Sequence, residues 1–300
     1  MTEPTIGILY PGEMGSSFGK LLAESGFPVV TTTQGRSART QSLCHEAGMT
    51  VLASIPEVLH RSAIVISLVT PAAALEVARQ VSAQVPSSSR RLIYVDANSI
   101  SPSTALQIAG VLGSGPVDFV DASILGLASL LRQRGRLYLS GSRASEVSNV
   151  FSRFMRVKIT GEAPGQASAF KMIIAGIPKG LVGLFVETML FARDMGLLRE
   201  ALEACNELYC GVMEVAQRML PTYPQHAARR SEELREIEAT MLLNGSTPRI
   251  LRAVLEVTAD LAKVDWVKGR EPAQGTVAEI LEEIHRSRTR ASSAESATRL

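Results

Sequence analysis

Gly161–Gly196 reads GEAPGQASAFKMIIAGIPKGLVGLFVETMLFARDMG. From Gln166 to Ala192 only Lys171, Lys179 and Glu187 are charged, which predicts a helix buried on most sides. Taken from Gly165 to Met195 it would run roughly 45 Å at 1.5 Å per residue, enough to leave one domain and form the spine of another. Lys171 sits near its start among Phe170, Met172, Ile173 and Ile174. Such a lysine either snorkels to a surface or is held where its charge is costly and its pKa falls, and the second case suits proton transfer. Pro178 removes a donor and crowds the Ile174 carbonyl, so a kink or break just after Lys171 is expected. The small residues Ala175, Gly176, Gly180 and Gly183 permit another helix to approach closely, including one from a second subunit.

Upstream of this stretch, β-rich apolar runs alternate with helical patterns. Strands are predicted at Thr5–Leu9, Pro28–Thr33, Ala63–Val69, Arg91–Ala97, Val117–Ser123, Arg136–Gly141 and Val157–Thr160. Helices are predicted at Glu13–Ser25, Ala73–Ala83, Pro102–Leu112 and Ala144–Phe154. This alternation predicts an α/β fold, a doubly wound parallel sheet of Rossmann type. Downstream the strand signals stop, and helices are predicted at Arg199–Met219, Ser231–Leu243, Thr247–Ala262 and Val277–Arg286. The expected domains are therefore 1–162, a dinucleotide-binding Rossmann domain, and 163–287, an all-helical domain for substrate and dimerisation, joined by the long helix. Residues 288–300, rich in Ser, Ala, Thr and Arg without an apolar face, are expected to be disordered.

Between the first strand and helix lies Tyr10-Pro11-Gly12-Glu13-Met14-Gly15. Strand, glycine turn and helix can present backbone N–H groups and a helix N-terminus to a pyrophosphate. Only two of the three glycines of a G-x-G-x-x-G motif are present, because Tyr10 stands at the first, and an ordinary turn with incidental glycines is the alternative. The exit of the second strand, QGRSARTQ, carries Arg36, Ser37, Arg39 and Thr40, with no acid between Glu24 and Glu46. An acidic residue there favours a free ribose 2′-hydroxyl and an arginine a 2′-phosphate. NADP(H) is thus expected over NAD(H), against the alternative of a solvated basic turn. Ligands of such sheets sit beyond the strand carboxyl ends, where Val69-Thr70, Asn98-Ser99 and Asp121-Ala122-Ser123 fall.

Lys and Arg total 31 against 29 Asp and Glu, a formal charge of +2, too balanced to point to nucleic acid or an anionic membrane. Three scattered cysteines, Cys44, Cys205 and Cys210, describe neither a disulfide framework nor a zinc site. No metal is expected, and a reducing cytoplasm is the natural location. MTEPTIGILY does not have the form of a signal segment, and Pro178, Lys179 and Glu187 interrupt the nearest candidate for a membrane span.

Five motifs belong together: IGILYPGEMG, QGRS, DANSISP, DASILG and GEAPGQASAFKM. With them the chain resembles the β-hydroxyacid dehydrogenase superfamily, which includes 3-hydroxyisobutyrate and 6-phosphogluconate dehydrogenases. Its C-terminal half resembles the branch with a phosphogluconate-dehydrogenase-like C-terminal domain of unknown function. The resemblance implies that Gly12, Glu13, Met14, Gly15, Arg36, Ser37, Val69, Thr70 and Ser99 hold the cofactor, with DANSISP beside the nicotinamide. DASILG stands at the place of the D-A-P-V-S-G substrate motif, with Leu125 for the usual serine and Ser123 two positions earlier. Gly165 and Lys171 match the G-x-G-x-x-x-K catalytic segment, while Ile174 replaces the asparagine one turn on. Substrate contacts are accordingly expected from Asn98, Ser123, Leu125 and Ile174.

The implied chemistry is hydride transfer at a carbinol carbon, with Lys171 as general base in oxidation and general acid in reduction. His226 and Arg230, in PQHAARRSEELREIEATM, are further candidates for an anionic substrate group. Alternatively, that segment is a solvated helix start in which Arg229 pairs with Glu233. The departures at Leu125 and Ile174 argue against a small 3-hydroxycarboxylate. Two other functions stay open: an imine reductase, although those enzymes usually carry aspartate or tyrosine at the place of Lys171, and a non-catalytic NADP-binding protein. Such helical domains often complete their cores across a two-fold axis, so a homodimer is expected.

Overall fold

IGIL at Ile6–Leu9 forms β1, buried on both faces, as an uninterrupted apolar run in a parallel sheet should be. The other strands are β2 (Val29–Thr32), β3 (Thr50–Leu52), β4 (Ile64–Ser67), β5 (Leu92–Asp96), β6 (Val117–Leu125), β7 (Arg136–Ser140) and β8 (Arg156–Gly161). They make one eight-stranded sheet in the order β3-β2-β1-β4-β5-β6-β7-β8. This computed structural model describes residues 3–85, 91–113, 115–264, 266 and 275–298, the last eight by backbone alone.

Helices α1 (Glu13–Glu24), α2 (Ala38–Glu46), α3 (Ile55–Arg61), α4 (Pro71–Gln84), α5 (Pro102–Leu112), α6 (Leu131–Arg134) and α7 (Ala144–Phe151) connect the strands. Two apolar clusters cover the two faces of the sheet. Phe18, Leu22, Cys44, Leu131, Val147 and Phe151 belong to one, and Val58, Val77, Val81, Ala105 and Ile108 to the other.

The sheet departs from the expected all-parallel arrangement at one place: β7 runs antiparallel to β6, while every other pairing is parallel. The link from Leu125 to Arg136 is too short for a parallel crossover, which needs a dozen or more residues. The sequence reading also passes over α2, β3, α3 and α6. Helix α2 buries only Cys44 and β3 is mostly exposed, so neither carries an apolar period.

The chain divides into two compact units, Met1–Met172 and Ile173–Leu300, ten residues later than expected. Helix α8 (Gln166–Asp194) spans the division, and bonds made by Ala167, Ser168 and Lys171 tie its first turns into the first unit. It is continuous through Pro178, against the expected break. Ile174 and Ile177 are exposed there, so the loss is confined to one intrahelical bond on an open face.

The second unit holds α9 (Leu198–Leu208), α10 (Cys210–Met219), α11 (Tyr223–Leu243), α12 (Arg249–Ala262) and α13 (Val277–Thr298). The single helix expected at 199–219 is divided at Tyr209. Helix α11 begins eight residues before the expected Ser231, with Pro224 in its first turn, where its missing donor is harmless. Helix α13 runs to Thr298, past the point where order was expected to end. Its buried Ile280, Leu281 and Ile284 anchor a base that the Ala- and Arg-containing continuation extends at little cost in propensity. Val182, Phe185, Val186, Met189 and Leu190 of α8 form the core of this unit with Tyr223, Leu261, Ile280 and Ile284. Gly183 lets α12 approach, since a Cβ there would lie 3.1 Å from Val254.

Candidate active site

The glycine turn has the geometry of a phosphate cradle. Gly12 caps α1 without a side-chain bond, and a Cβ built on it would meet nothing within 4 Å. The first-turn amides of α1 have no intrahelical acceptor, and the space beside Gly12 is open. Gly15 packs closely instead, its would-be Cβ 2.9 Å from Pro11 Cβ. Tyr10 takes φ +49°, so the turn keeps the left-handed backbone that glycine adopts freely. These residues fit a dinucleotide pyrophosphate at the helix N-terminus.

At the end of β2, Arg36 N–H donates to the Thr33 carbonyl at 3.0 Å, and its guanidinium lies 4.7 Å from the Tyr10 ring centroid. Ser37 caps α2, its Oγ accepting from Thr40 N–H at 3.3 Å. The two residues expected at the ribose are thus differently placed: Arg36 is exposed and presented by the turn, while the Ser37 hydroxyl is used by the helix.

A buried clasp joins the ends of β4 and β5. Asn98 Oδ1 accepts from Val69 N–H at 2.6 Å, and its Nδ2 donates to Ser67 Oγ at 3.0 Å and Asp96 Oδ2 at 2.9 Å. Asn98 N–H donates to Asp96 Oδ1 at 3.0 Å. The expectation that Asn98 contacts substrate is corrected: it is buried and its carboxamide is used within the protein. It fixes the backbone of Val69, with the exposed Thr70 next to it at the head of α4. Burial pushes the Asp96 carboxyl up to about 7, opposed by the bonds from Asn98 and reinforced by the neighbouring Asp121.

Three contacts fix the start of α8. Asp121 accepts from Ser168 N–H at 2.9 Å and from Ser168 Oγ at 2.6 Å. Ser140 Oγ accepts from Ala167 N–H at 3.0 Å and donates to Asp121 at 3.2 Å. A carboxylate here satisfies orphan helix donors and meets the positive end of the helix dipole; even so, burial pushes the Asp121 carboxyl up. Gly165, at φ +88°, brings the chain within contact of Pro102, whose carbonyl oxygen would lie 3.1 Å from a Cβ. The Phe170 ring rests 4.3 Å, centroid to centroid, from that of Tyr138. One turn into the helix so held, Lys171 Nζ donates to Ser99 Oγ at 2.7 Å. Lys171 and Ser99, both expected at the site from the sequence, therefore meet. Asp121, which the sequence placed only in a segment near the ligand, and Tyr138, which it did not single out, position that lysine.

Other expectations fare differently. Ser123 is fully buried, and no partner for its Oγ occurs among the described residues. Strand alternation turns it inward with Asp121, so it does not offer its hydroxyl to a substrate. Leu125 is partly exposed at the end of β6, and Ile174 is exposed in the second unit. Arg230, also in that unit, is buried. It stacks 4.3 Å over the Tyr223 ring and donates to Thr222 Oγ1 at 2.7 Å and the Met219 carbonyl at 3.2 Å. It clamps the turn before α11, which corrects its expected role as a substrate contact. Desolvation, with Arg229 and Arg230 nearby, lowers the His226 pKa, leaving a neutral ring at pH 7. Arg229 pairs with Glu233 at 3.5 Å, as the solvated-helix alternative requires. Lys179 is buried and pairs with the same Glu233 at 3.0 Å.

The fold is shared with known proteins. The NAD binding domain of 6-phosphogluconate dehydrogenase matches residues 5–157, and a domain of unknown function, DUF1932, matches residues 192–261. An uncharacterized 28.5 kDa protein from the 7S RNA 5′ region of Methanothermus fervidus is 27% identical over 248 residues, 82% of this chain and 94% of that protein. A solved conserved protein of unknown function, described as structurally similar to 3-hydroxyacid dehydrogenases, is 30% identical. That match covers 86% of this chain and 97% of the other, with a TM-score of 0.73. Mycobacterium tuberculosis 3-hydroxyisobutyrate dehydrogenase shares the fold at 17% identity and a TM-score of 0.73, over 93% of this chain and 98% of its own. The chain belongs to the family defined by the NAD binding domain of 6-phosphogluconate dehydrogenase, and with it to the NAD(P)-dependent oxidoreductases.

Proposed function

We propose that the protein is an NADP-dependent dehydrogenase or reductase of the CH–OH type, acting on a hydroxy or keto substrate, with Lys171 as its general acid and base. The observation that carries this reading is the Lys171–Ser99 hydrogen bond of 2.7 Å. The bound nicotinamide would supply or accept the hydride. Lys171 would move the proton: it takes it from the hydroxyl oxygen during oxidation and returns it to the carbonyl oxygen during reduction. Ser99, already its partner, would orient the lysine nitrogen and present its own hydroxyl to the same oxygen. Gly12, Glu13, Met14 and Gly15 would hold the pyrophosphate through backbone N–H groups, and Arg36 the adenosine 2′-phosphate, since no acid occurs between Glu24 and Glu46. Leu125, standing where the substrate motif has a serine, removes a polar contact and favours bulkier groups than a small hydroxycarboxylate. Turnover screened by NADPH absorbance tests this reading, using aromatic and sugar-derived 3-hydroxy compounds, their ketones and a cyclic imine. Activity on alcohols or ketones supports it; activity on the imine alone, or NADPH binding without turnover of any of them, overturns it.

The working form proposed is a homodimer in the cytoplasm. Helix α8 is long and apolar enough to cross a membrane. Its first turn, however, is bonded to Asp121 and Ser140, and Phe185, Val186 and Leu190 lie in a protein core, which supports a spine. Three unpaired cysteines suit a reducing compartment.

A further inference from the structure

Among the described residues Tyr10 is the one non-glycine with a positive φ. A residue with a Cβ is strained in that conformation, and glycine would relieve the strain. An aromatic ring kept at a strained position has work to do there. One side of the ring packs on the cluster that contains Leu9, Val30 and Tyr94. Over the ring lies the Arg36 guanidinium, 4.7 Å from its centroid, and among the described residues no carboxylate pairs with that guanidinium.

A carboxylate partner would occupy the in-plane N–H fork of an arginine. An aromatic face leaves that fork open, because the attraction acts through the plane of the guanidinium and the donors point outward from its edge. Stacking also restricts a long exposed side chain that would otherwise have to be ordered when a phosphate binds. The arrangement is a cation held in place with its phosphate-binding edge free.

We propose that Tyr10 is a specificity-determining positioning residue: its ring is the platform that holds Arg36 for a ribose 2′-phosphate, so the side chain in the first glycine position sets the preference for NADPH over NADH. This inference rests on the NADP reading above. A dinucleotide without the 2′-phosphate gains nothing from the platform, so the effect belongs to one cofactor only.

The test measures dissociation constants of NADPH and NADH, by fluorescence titration at one ionic strength, for the wild type and for Tyr10→Gly, Tyr10→Leu and Tyr10→Phe. Melting temperatures are recorded alongside. Tyr10→Gly should match or exceed the wild type in melting temperature and yet bind NADPH about fivefold more weakly, with NADH unchanged. Tyr10→Phe should keep the wild-type ratio. Tyr10→Leu, which keeps the Cβ but loses the ring, should lose the ratio and serves if the glycine variant does not fold. A ratio that survives in both ring-less variants overturns the inference, as does an equal loss for both cofactors, which would mean that Tyr10 only shapes the turn. A wild type that binds both cofactors equally overturns the NADP reading itself, whereas a wild-type preference that outlives the ring overturns this inference alone.

Discussion

Lys171 Nζ donates to Ser99 Oγ at 2.7 Å, across 72 residues of sequence. The lysine is fixed by the start of α8 and the serine by the turn after β5, so the bond joins two rigid elements where a reacting oxygen would sit. Lys171→Ala should lower turnover by about two orders of magnitude or more while NADPH affinity stays as in the wild type. Ser99→Ala, which leaves the ammonium present but less well oriented, should cost about tenfold. Near-normal turnover in Lys171→Ala would remove the lysine from the chemistry.

Asp121 is the residue on which the lysine's position depends. It caps Ser168 through both backbone and hydroxyl and accepts from Ser140. Asp121→Ala would leave buried donors without an acceptor at a helix N-terminus, which should cost about 3 kcal/mol of stability. Ser168→Ala removes only one of the bonds and should cost about 1 kcal/mol. Urea denaturation gives both values, and equal losses in the two variants would show that the carboxylate is not the element holding the helix.

The buried Asp96 makes stability depend on pH in a defined direction. Its folded pKa, raised to about 7 by burial, lies above the unfolded value near 3.9. Between these values the native state holds a proton that the unfolded state has released. The associated stability is fully present below about pH 4 and is lost as pH rises through about 7. The unfolding free energy from urea titrations should therefore fall from pH 5 to pH 8, by roughly 2 kcal/mol. Asp121, raised in the same direction, adds to the slope, so Asp96→Asn should flatten most of it but not all. A slope as steep in Asp96→Asn as in the wild type would assign it to other groups.

The elements legible in the sequence are those whose side chains repeat a period. The buried strands β1, β4 and β5 are apolar but for the closing Ser67 and Asp96 and are readable within a residue or two, whereas α2 and β3 bury too little to leave a pattern. The antiparallel β7 was legible only through the length of the loop before it. Lys171 and Ser99 are legible because each lies in a recognisable local motif, and the structure brings the two together. Asn98 and Ser123 were misread for one reason: a polar residue at a strand end can face the ligand or the interior, and local sequence does not fix which. Asp96 and Ser67 consume Asn98, and strand alternation buries Ser123. Tyr10 looked like a defect in a glycine motif until its partner Arg36, 26 positions on by numbering, came over its ring.

The apolar face left open on α8 bears on assembly. Ile173, Ile177, Leu184 and Phe191 are each at least 59% exposed, and at 3.6 residues per turn they fall within an arc of about 40°. The proposed homodimer would bury this stripe, which is narrow and nearly 30 Å long by helix rise. Its self-complementary apolar character fits a second copy of the same chain related by a two-fold axis. Leu184→Asp should convert the dimer to a monomer in light scattering at micromolar concentration, because a charge buried in the seam has no partner. The same variant should keep NADPH affinity, since Gly12 and Arg36 lie in the other unit. A wild type that is monomeric at all concentrations, or a Leu184→Asp variant that stays dimeric, would mean that this stripe is covered by something other than its own copy.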